Sequence, residues 1–273
     1  MKKILFFATL ALTGNAINAQ VIKLKEKQQL TLENTLTQDM DMGMAGQFTV
    51  NSSNQMVFDV KEVNPTGYLI NSKITKIKAN MDGMGQSASY DSENPNDKDN
   101  DLATALAGTL HKEQSFTLDK NTGKSTALQS NIDTLKAEDD ANLFSASGMN
   151  KTANLSDVFF VVPANTKVGD SWKDSSEVRA GAKIYKTYTL KAVENSISTV
   201  TLTSNSNATV SREEQGMQID ITLETKTTGE LSVNNQSSII IKSNRVSNIS
   251  GAMEVMGQSI PLTSKITETI EIK

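Results

Sequence analysis

Methionine is the residue with chemistry that this chain uses most unevenly. Eleven occur; apart from Met1 and Met149 they are grouped as Met40, Met42 and Met44, as Met81 and Met84, and as Met253 and Met256, with Met56 and Met217 alone. Side chains alternate faces along a strand, so the Met-x-Met-x-Met spacing from Met40 to Met44 would aim three thioethers to one side. Soft thioether sulfur binds Cu(I). It is also an adaptable apolar filler that lines pockets. The chain has no cysteine and one histidine, His111, so the sulfurs lack the usual supporting ligands. The apolar reading is the stronger one, and no resident metal or other cofactor is expected.

The remaining reactive groups are sparse. A single histidine cannot build a multi-histidine metal site, and it lies upstream of Gly169-Asp170-Ser171, the one lipase-like serine element. A serine without a base is not activated, so that stretch reads as a tight turn with Trp172 opening a strand. Asp97, Asp99 and Asp101 have the alternate spacing of a calcium loop, but Leu102 stands where its glycine belongs and Gly108 where its glutamate belongs. They read as a polar loop and helix cap. Asp133-Thr134-Leu135 fits a short O-glycosylation pattern. No catalytic constellation emerges, and the chain is expected not to be an enzyme.

The first nineteen residues have the three parts of a secretory signal. Lys2 and Lys3 are followed by the apolar run from Ile4 to Leu12, then by small residues ending at Ala19. The run is too short to span a bilayer, and no later stretch is long enough to do so. The expected product is a single β-rich domain of residues 20–273, exported and placed in the periplasm in preference to the extracellular space. Without disulfides such a domain must be held together by its core. Lysine plus arginine number 27 against 31 acids; without Lys2 and Lys3 the balance is 25 against 31, a net charge of −6. The three arginines are scattered, which argues against a nucleic-acid partner.

Period-two patterning dominates the chain. Met56, Phe58 and Val60 share a face, Asn64-Pro65-Thr66-Gly67 is a hairpin turn, and a strand from Tyr68 returns. Asp82-Gly83 reads as a further turn, completing a first meander over residues 21–90. Residues 91–180 form an insert with short helices at Leu102–Gly108 and Ala137–Ser147. A second meander covers 181–273, with turns at Glu194-Asn195, Gln215-Gly216 and Thr228-Gly229. Met217, Ile219, Ile221 and Leu223 form an apolar row there. Met84-Gly-Gln-Ser87 is echoed at Met256-Gly-Gln-Ser259.

The strand running into Pro163 and then Val168-Gly169-Asp170-Ser171-Trp172 resembles an element of a family of uncharacterised exported proteins of Bacteroidota type. Tyr90 to Glu93 and Phe116 to Gly123 fit that family in the same order. The order of meander and helix also resembles the half-barrels of periplasmic lipoprotein carriers. The expected fold is therefore mainly β, two antiparallel meanders forming a curved sheet or half-barrel with one or two short helices between them. The expected function is binding of a lipid or other apolar molecule between sheet and helices, lined by Met42, Met44, Phe58, Met217, Ile219 and Ile221. The alternatives are a structural or interaction protein of the envelope, and copper binding by the methionines.

Overall fold

The computed structural model describes residues 20–83, 85–97, 101–107, 109–129, 155–177, 183–214 and 217–273. The signal segment, the expected helix from Ala137, Asp133-Thr134-Leu135, Asp99, Met84 and Gln215-Gly216 lie outside them.

The chain is mainly β, as its patterning predicts. Among the described residues twelve strands form one antiparallel sheet: β1 (Gln29–Asp41), β2 (Gln47–Val63), β3 (Gly67–Gly83), β4 (Gln86–Asp91), β5 (Gln114–Asp119), β6 (Ser125–Gln129), β7 (Ser171–Glu177), β8 (Lys183–Glu194), β9 (Ile197–Glu214), β10 (Met217–Asn234), β11 (Ile240–Val255) and β12 (Gln258–Ile272). A short helix, α1 (Asp101–Ala107), lies between β4 and β5. The strand order is β6-β5-β3-β2-β1-β12-β11-β10-β9-β8-β7, with β4 on the far half of β3. The two meanders are joined through their outermost members, β1 and β12, from Leu32 opposite Ile272 to Asp41 opposite Thr263. The insert adds β5 and β6 to one side and β7 to the other. Among the described residues the two ends do not meet, so the sheet is curved but not closed into a barrel.

The N-terminal segment forces the curvature. The Ile22 N–H donates to the Lys120 carbonyl beyond β5, and the Lys23 N–H to the Ser237 carbonyl before β11. In a flat sheet β5 and β11 stand five strand spacings apart, about 24 Å. Neighbouring residues can bridge only a fraction of that distance, so the sheet wraps around them. Tyr68 fixes the crossing: its hydroxyl donates to the Ile22 carbonyl at 2.7 Å and accepts the Leu24 N–H at 3.2 Å.

Turn chemistry explains the hairpins. Asn64 Oδ1 accepts the N–H groups of Thr66 and Gly67 at 3.1 and 2.7 Å, the side chain standing in for a backbone acceptor. Asn195 and Ser196 both have positive φ, as do Met256 and Gly257, the geometry whose twist matches antiparallel strands. The Met-Gly-Gln-Ser echo is thus a shared hairpin device: Gly83 pairs with Gln86, and Val255 with Gln258. The expected Asp82-Gly83 turn is instead the end of β3, where Asp82 pairs with Ser87 and Gly83 with Gln86.

One expected turn is absent. Thr228-Gly229 lies within an unbroken β10, where Gly229 pairs with Leu202 on one side and Arg245 on the other. A Cβ at Gly229 would lie 3.0 Å from Arg245 Cγ and 2.8 Å from the Asn244 carbonyl oxygen. The glycine makes room for a neighbouring strand's side chain.

Candidate ligand-binding face

Strand parity defines the inner face. On β1 it carries Leu30, Leu32, Asn34, Leu36, Gln38 and Met40, all buried, alternating with exposed or half-buried polar residues. A β-bulge opposite Gln55 and Met56 shifts the inner row of β3 from Ile74 to Ile77. The face divides along the strand axis. At the end that the N-terminal segment crosses, Phe58, Ile70, Leu118, Leu190, Val200, Val233 and Ile240 form a packed core with Ile22. Leu155, Val158, Phe159 and Val162 press onto the same core from the inner side. Val158 and Phe160 hydrogen-bond to the Ile240 N–H and the Ser238 carbonyl, stitching this segment to β11.

Toward the other end the inner rows of β10, β11 and β12 stay apolar and only half-buried. Ile221 stands opposite Met253, which stands opposite Ile260; Leu223 stands opposite Gly251, which stands opposite Leu262. Leu262 touches the core, whereas Ile221, Leu223, Met253 and Ile260 do not belong to it.

A band of polar side chains crosses the inner face between these two zones. Asn54 lies opposite Asn34. Asn34 Nδ2 donates to Glu268 Oε1 at 3.3 Å, and Arg245 Nη1 lies 3.6 Å from Glu268 Oε2 and 2.6 Å from Asp157 Oδ1. Farther along, Gln38 Nε2 donates to Ser264 Oγ at 3.0 Å. Burial alone would lower the Arg245 pKa, but Asp157 and Glu268 override it and hold the guanidinium above its ordinary value. Burial pushes the neighbouring Tyr188 hydroxyl up to about 12. Tyr188, Trp172 and Phe160 pack together beside this cluster, with ring centroids 4.9–6.2 Å apart. Trp172 follows the tight turn expected at Gly169-Asp170-Ser171, closed by the Lys167 N–H donating to Asp170 Oδ2 at 2.8 Å. Ser171 Oγ meets only another hydroxyl in the described contacts, Thr189 Oγ1 at 2.8 Å.

The expected lining residues do not form one pocket. Met42 (6% exposed) and Ile219 (8%) are on the inner face toward the half-open end but three strands apart, and Ile221 follows Ile219 on β10. Phe58 (1%) is in the packed core, ten residues along β2 from Phe48 and about 33 Å away. Met44 is fully exposed. β1 ends at Asp41, and a 3-10 turn over Gly43–Ala45 takes Met44 off the strand, so the three thioethers do not share a face. Met217 opens β10 opposite Glu214, and its side chain lies outside the described residues. Met256 sits in a turn, largely exposed. His111 is exposed on the surface after α1. Asp97 turns inward on its own loop, accepting from the Asp91 N–H and Asn94 Nδ2.

A hollow of about 600 Å³ lies over β1, β2, β12 and β11, lined by Asp39, Asp41, Thr49, Thr263 and Lys265. These belong to the outward rows, and Met40, Phe48, Ile249 and Ser264 of the inner rows complete the lining. The polar band escaped the motif reading. Its signal was parity: Leu30, Leu32, Leu36 and Met40 place Asn34 and Gln38 on the apolar side.

Residues 65–240 match a family of unknown function, DUF6263, and the chain belongs to that family. No curated protein matches it. Among solved structures, one of lipid–protein interactions in lipovitellin aligns over 92% of this chain with a TM-score of 0.50 at 9% identity. This chain spans about a quarter of the lipovitellin chain's length, 25%. An outer membrane channel from Pseudomonas putida F1 aligns over 92% of this chain and 97% of its own, at 7% identity and a TM-score of 0.24. A putative AttH from Nitrosomonas europaea aligns over 89% and 51%, at 10% identity and a TM-score of 0.20. At these identities the lipovitellin likeness is one of fold, and the other two carry no argument.

Proposed function

We propose that this member of the DUF6263 family is an exported, non-enzymatic binding protein whose trough holds a lipid or other apolar ligand. The observation that carries the reading is the half-buried apolar surface of Ile221, Leu223, Met253 and Ile260 on the inner face. A sheet face of this kind normally meets another layer, and concave apolar surfaces beside β-structure are common ligand sites. The lipovitellin likeness supports the same reading at the level of fold. The signal-like N-terminus supports export, with the periplasm as the working compartment.

The test is native mass spectrometry with organic extraction, on protein purified without detergent from the periplasm. A stoichiometric extractable mass is the expected result. A bare polypeptide mass that persists after incubation with envelope lipids would overturn the reading. It would favour an envelope interaction protein, for which exposed Tyr185 on β8 and Val168 beside the β7 edge offer contact surface. Copper binding has less support, because Met44 stands apart from Met40 and Met42.

A further inference from the structure

We infer that the methionine-bearing rim of the sheet docks on a bilayer of zwitterionic lipid, and that the trough exchanges its ligand there. The inference rests on the ligand-binding reading above and names the partner that supplies or receives the ligand.

The methionines gather at one end of the fold. The turn from β1 to β2 joins Asp41 to Gln47, and that from β3 to β4 joins Gly83 to Gln86. The turn from β9 to β10 joins Glu214 to Met217, and that from β11 to β12 joins Val255 to Gln258. Asp41 pairs with Thr263, Phe48 with Gly83 and Ile219 with Val255, so all four turns share one end of the sheet. Among the described residues every methionine except Met56 lies in or beside one of these turns. Three of the turns have closely similar sequences, over Met40–Gln47, Met81–Gln86 and Met253–Gln258. Each combines methionine and glycine with a single acid, ends in Gly-Gln, and has no lysine or arginine.

The tips of this rim face solvent. Met44 and Met256 are the most exposed large apolar side chains among the described residues, at 106% and 79%. A Cβ on Gly85 or Gly257 would meet no atom within 4 Å, so those turns stand clear of the sheet. β12 runs on past Thr263, the partner of Asp41, to Gln258, which carries the β11–β12 hairpin about 17 Å beyond the end of β1. The inner row of that hairpin is Leu262, Ile260, Met253 and Val255, all half-buried. The apolar surface of the trough therefore continues to the exposed Met256. Single exposed apolar residues are ordinary, but their confinement to one rim marks a contact surface. Methionine is unbranched and adapts to an irregular partner, and apolar tips of this kind enter the boundary between head groups and acyl chains. Charge selects the bilayer. The rim carries Asp41, Asp82, Glu213, Glu214 and Glu254 against one cation, Arg212, so a surface rich in anionic lipid is repelled and a zwitterionic one is not.

The experiment floats the chain of residues 20–273 with phosphatidylcholine vesicles, with and without phosphatidylglycerol, at low and high salt. Co-flotation with the zwitterionic vesicles is expected, without gain from phosphatidylglycerol and without loss in high salt. Met44→Asp and Met256→Asp should each weaken it about tenfold, the scale of withdrawing one apolar side chain from lipid. Neither substitution should lower the melting temperature, since both side chains are exposed and aspartate tolerates the positive φ of Met256. No co-flotation, co-flotation unchanged by both substitutions, or co-flotation that requires phosphatidylglycerol would overturn the docking surface. Extractable lipid without co-flotation would overturn the rim and leave the trough standing. Co-flotation that the substitutions weaken, on protein with no extractable lipid, would uphold the rim and overturn the trough.

Discussion

Replacing Arg245 with Met should destabilise the protein by about 3–5 kcal/mol, the usual cost of stranding buried charge. The geometry sets that scale. The Arg245, Asp157 and Glu268 side chains are 17%, 9% and 10% exposed, so water reaches none of them freely. The guanidinium is 2.6 Å from Asp157 and 3.6 Å from Glu268, and its removal takes that positive charge away from two buried carboxylates. Surface pairs contribute at most about 1 kcal/mol, so the loss distinguishes a buried cluster from a solvated one. In a chain of this size each kcal/mol moves Tm by about 2–4 °C, which predicts a fall of roughly 10 °C. Urea unfolding followed by the fluorescence of Trp172, the only tryptophan, is the assay. That ring packs on Phe160 of the Leu155–Val162 segment, which Asp157 helps to hold, so the probe sits beside the perturbation. The triple variant Arg245→Met, Asp157→Asn, Glu268→Gln should recover most of the loss, because neither carboxylate is then left charged beside an absent guanidinium. A loss below about 1 kcal/mol in the single variant would show that solvent screens the cluster, and the burial argument would fail.

Three further outcomes follow from local features. Phe58→Ala should cost about 3–5 kcal/mol in urea unfolding, as a large truncation in a filled core; Phe58 is among the largest fully buried side chains. Met256→Asn should stabilise by about 0.5–1 kcal/mol, because Met256 has a φ of +52°, a conformation that asparagine tolerates better. Asp119 accepts the Thr122 N–H and hydroxyl and the Asn121 N–H, which hold its carboxyl below the ordinary value. A depressed folded-state pKa gives a contribution that is complete above the unfolded value of about 3.9 and is lost as pH falls toward the folded one. Asp119→Asn should therefore flatten the acid limb of a Tm-against-pH curve below about pH 4 and leave the neutral region parallel to wild type.

What could be read in the sequence was local. The Asn64–Gly67 turn was legible because Asn64 supplies its own hydrogen bonds, and the rows through Met56 and Phe58 because burial alternates along each strand. The β1–β12 pairing was not legible: its partners stand more than 220 residues apart, and no short-range chemistry announces that contact. Gly229 misled for the same reason. Glycine beside threonine resembles a turn, yet its cause is the arm of Arg245 on the next strand. Met44 failed at a boundary, since a spacing of two implies a shared face only while the strand lasts.

The two halves of the inner face follow from what stands opposite them. Near the N-terminal crossing, residues from both meanders meet the Leu155–Val162 segment, and side chains there are buried on every side. Along the far halves of β10, β11 and β12 the same alternation continues, but among the described residues Ile221, Leu223, Met253 and Ile260 remain outside the packed core. Small residues recur beside them, with Gly251 between Leu223 and Leu262 and Ala208 opposite Leu223. Gly251 is set by its neighbour, since a Cβ there would lie 2.0 Å from the Thr222 carbonyl oxygen. In the proposed reading an apolar ligand covers these half-buried side chains and supplies the layer that a sheet face of this kind needs.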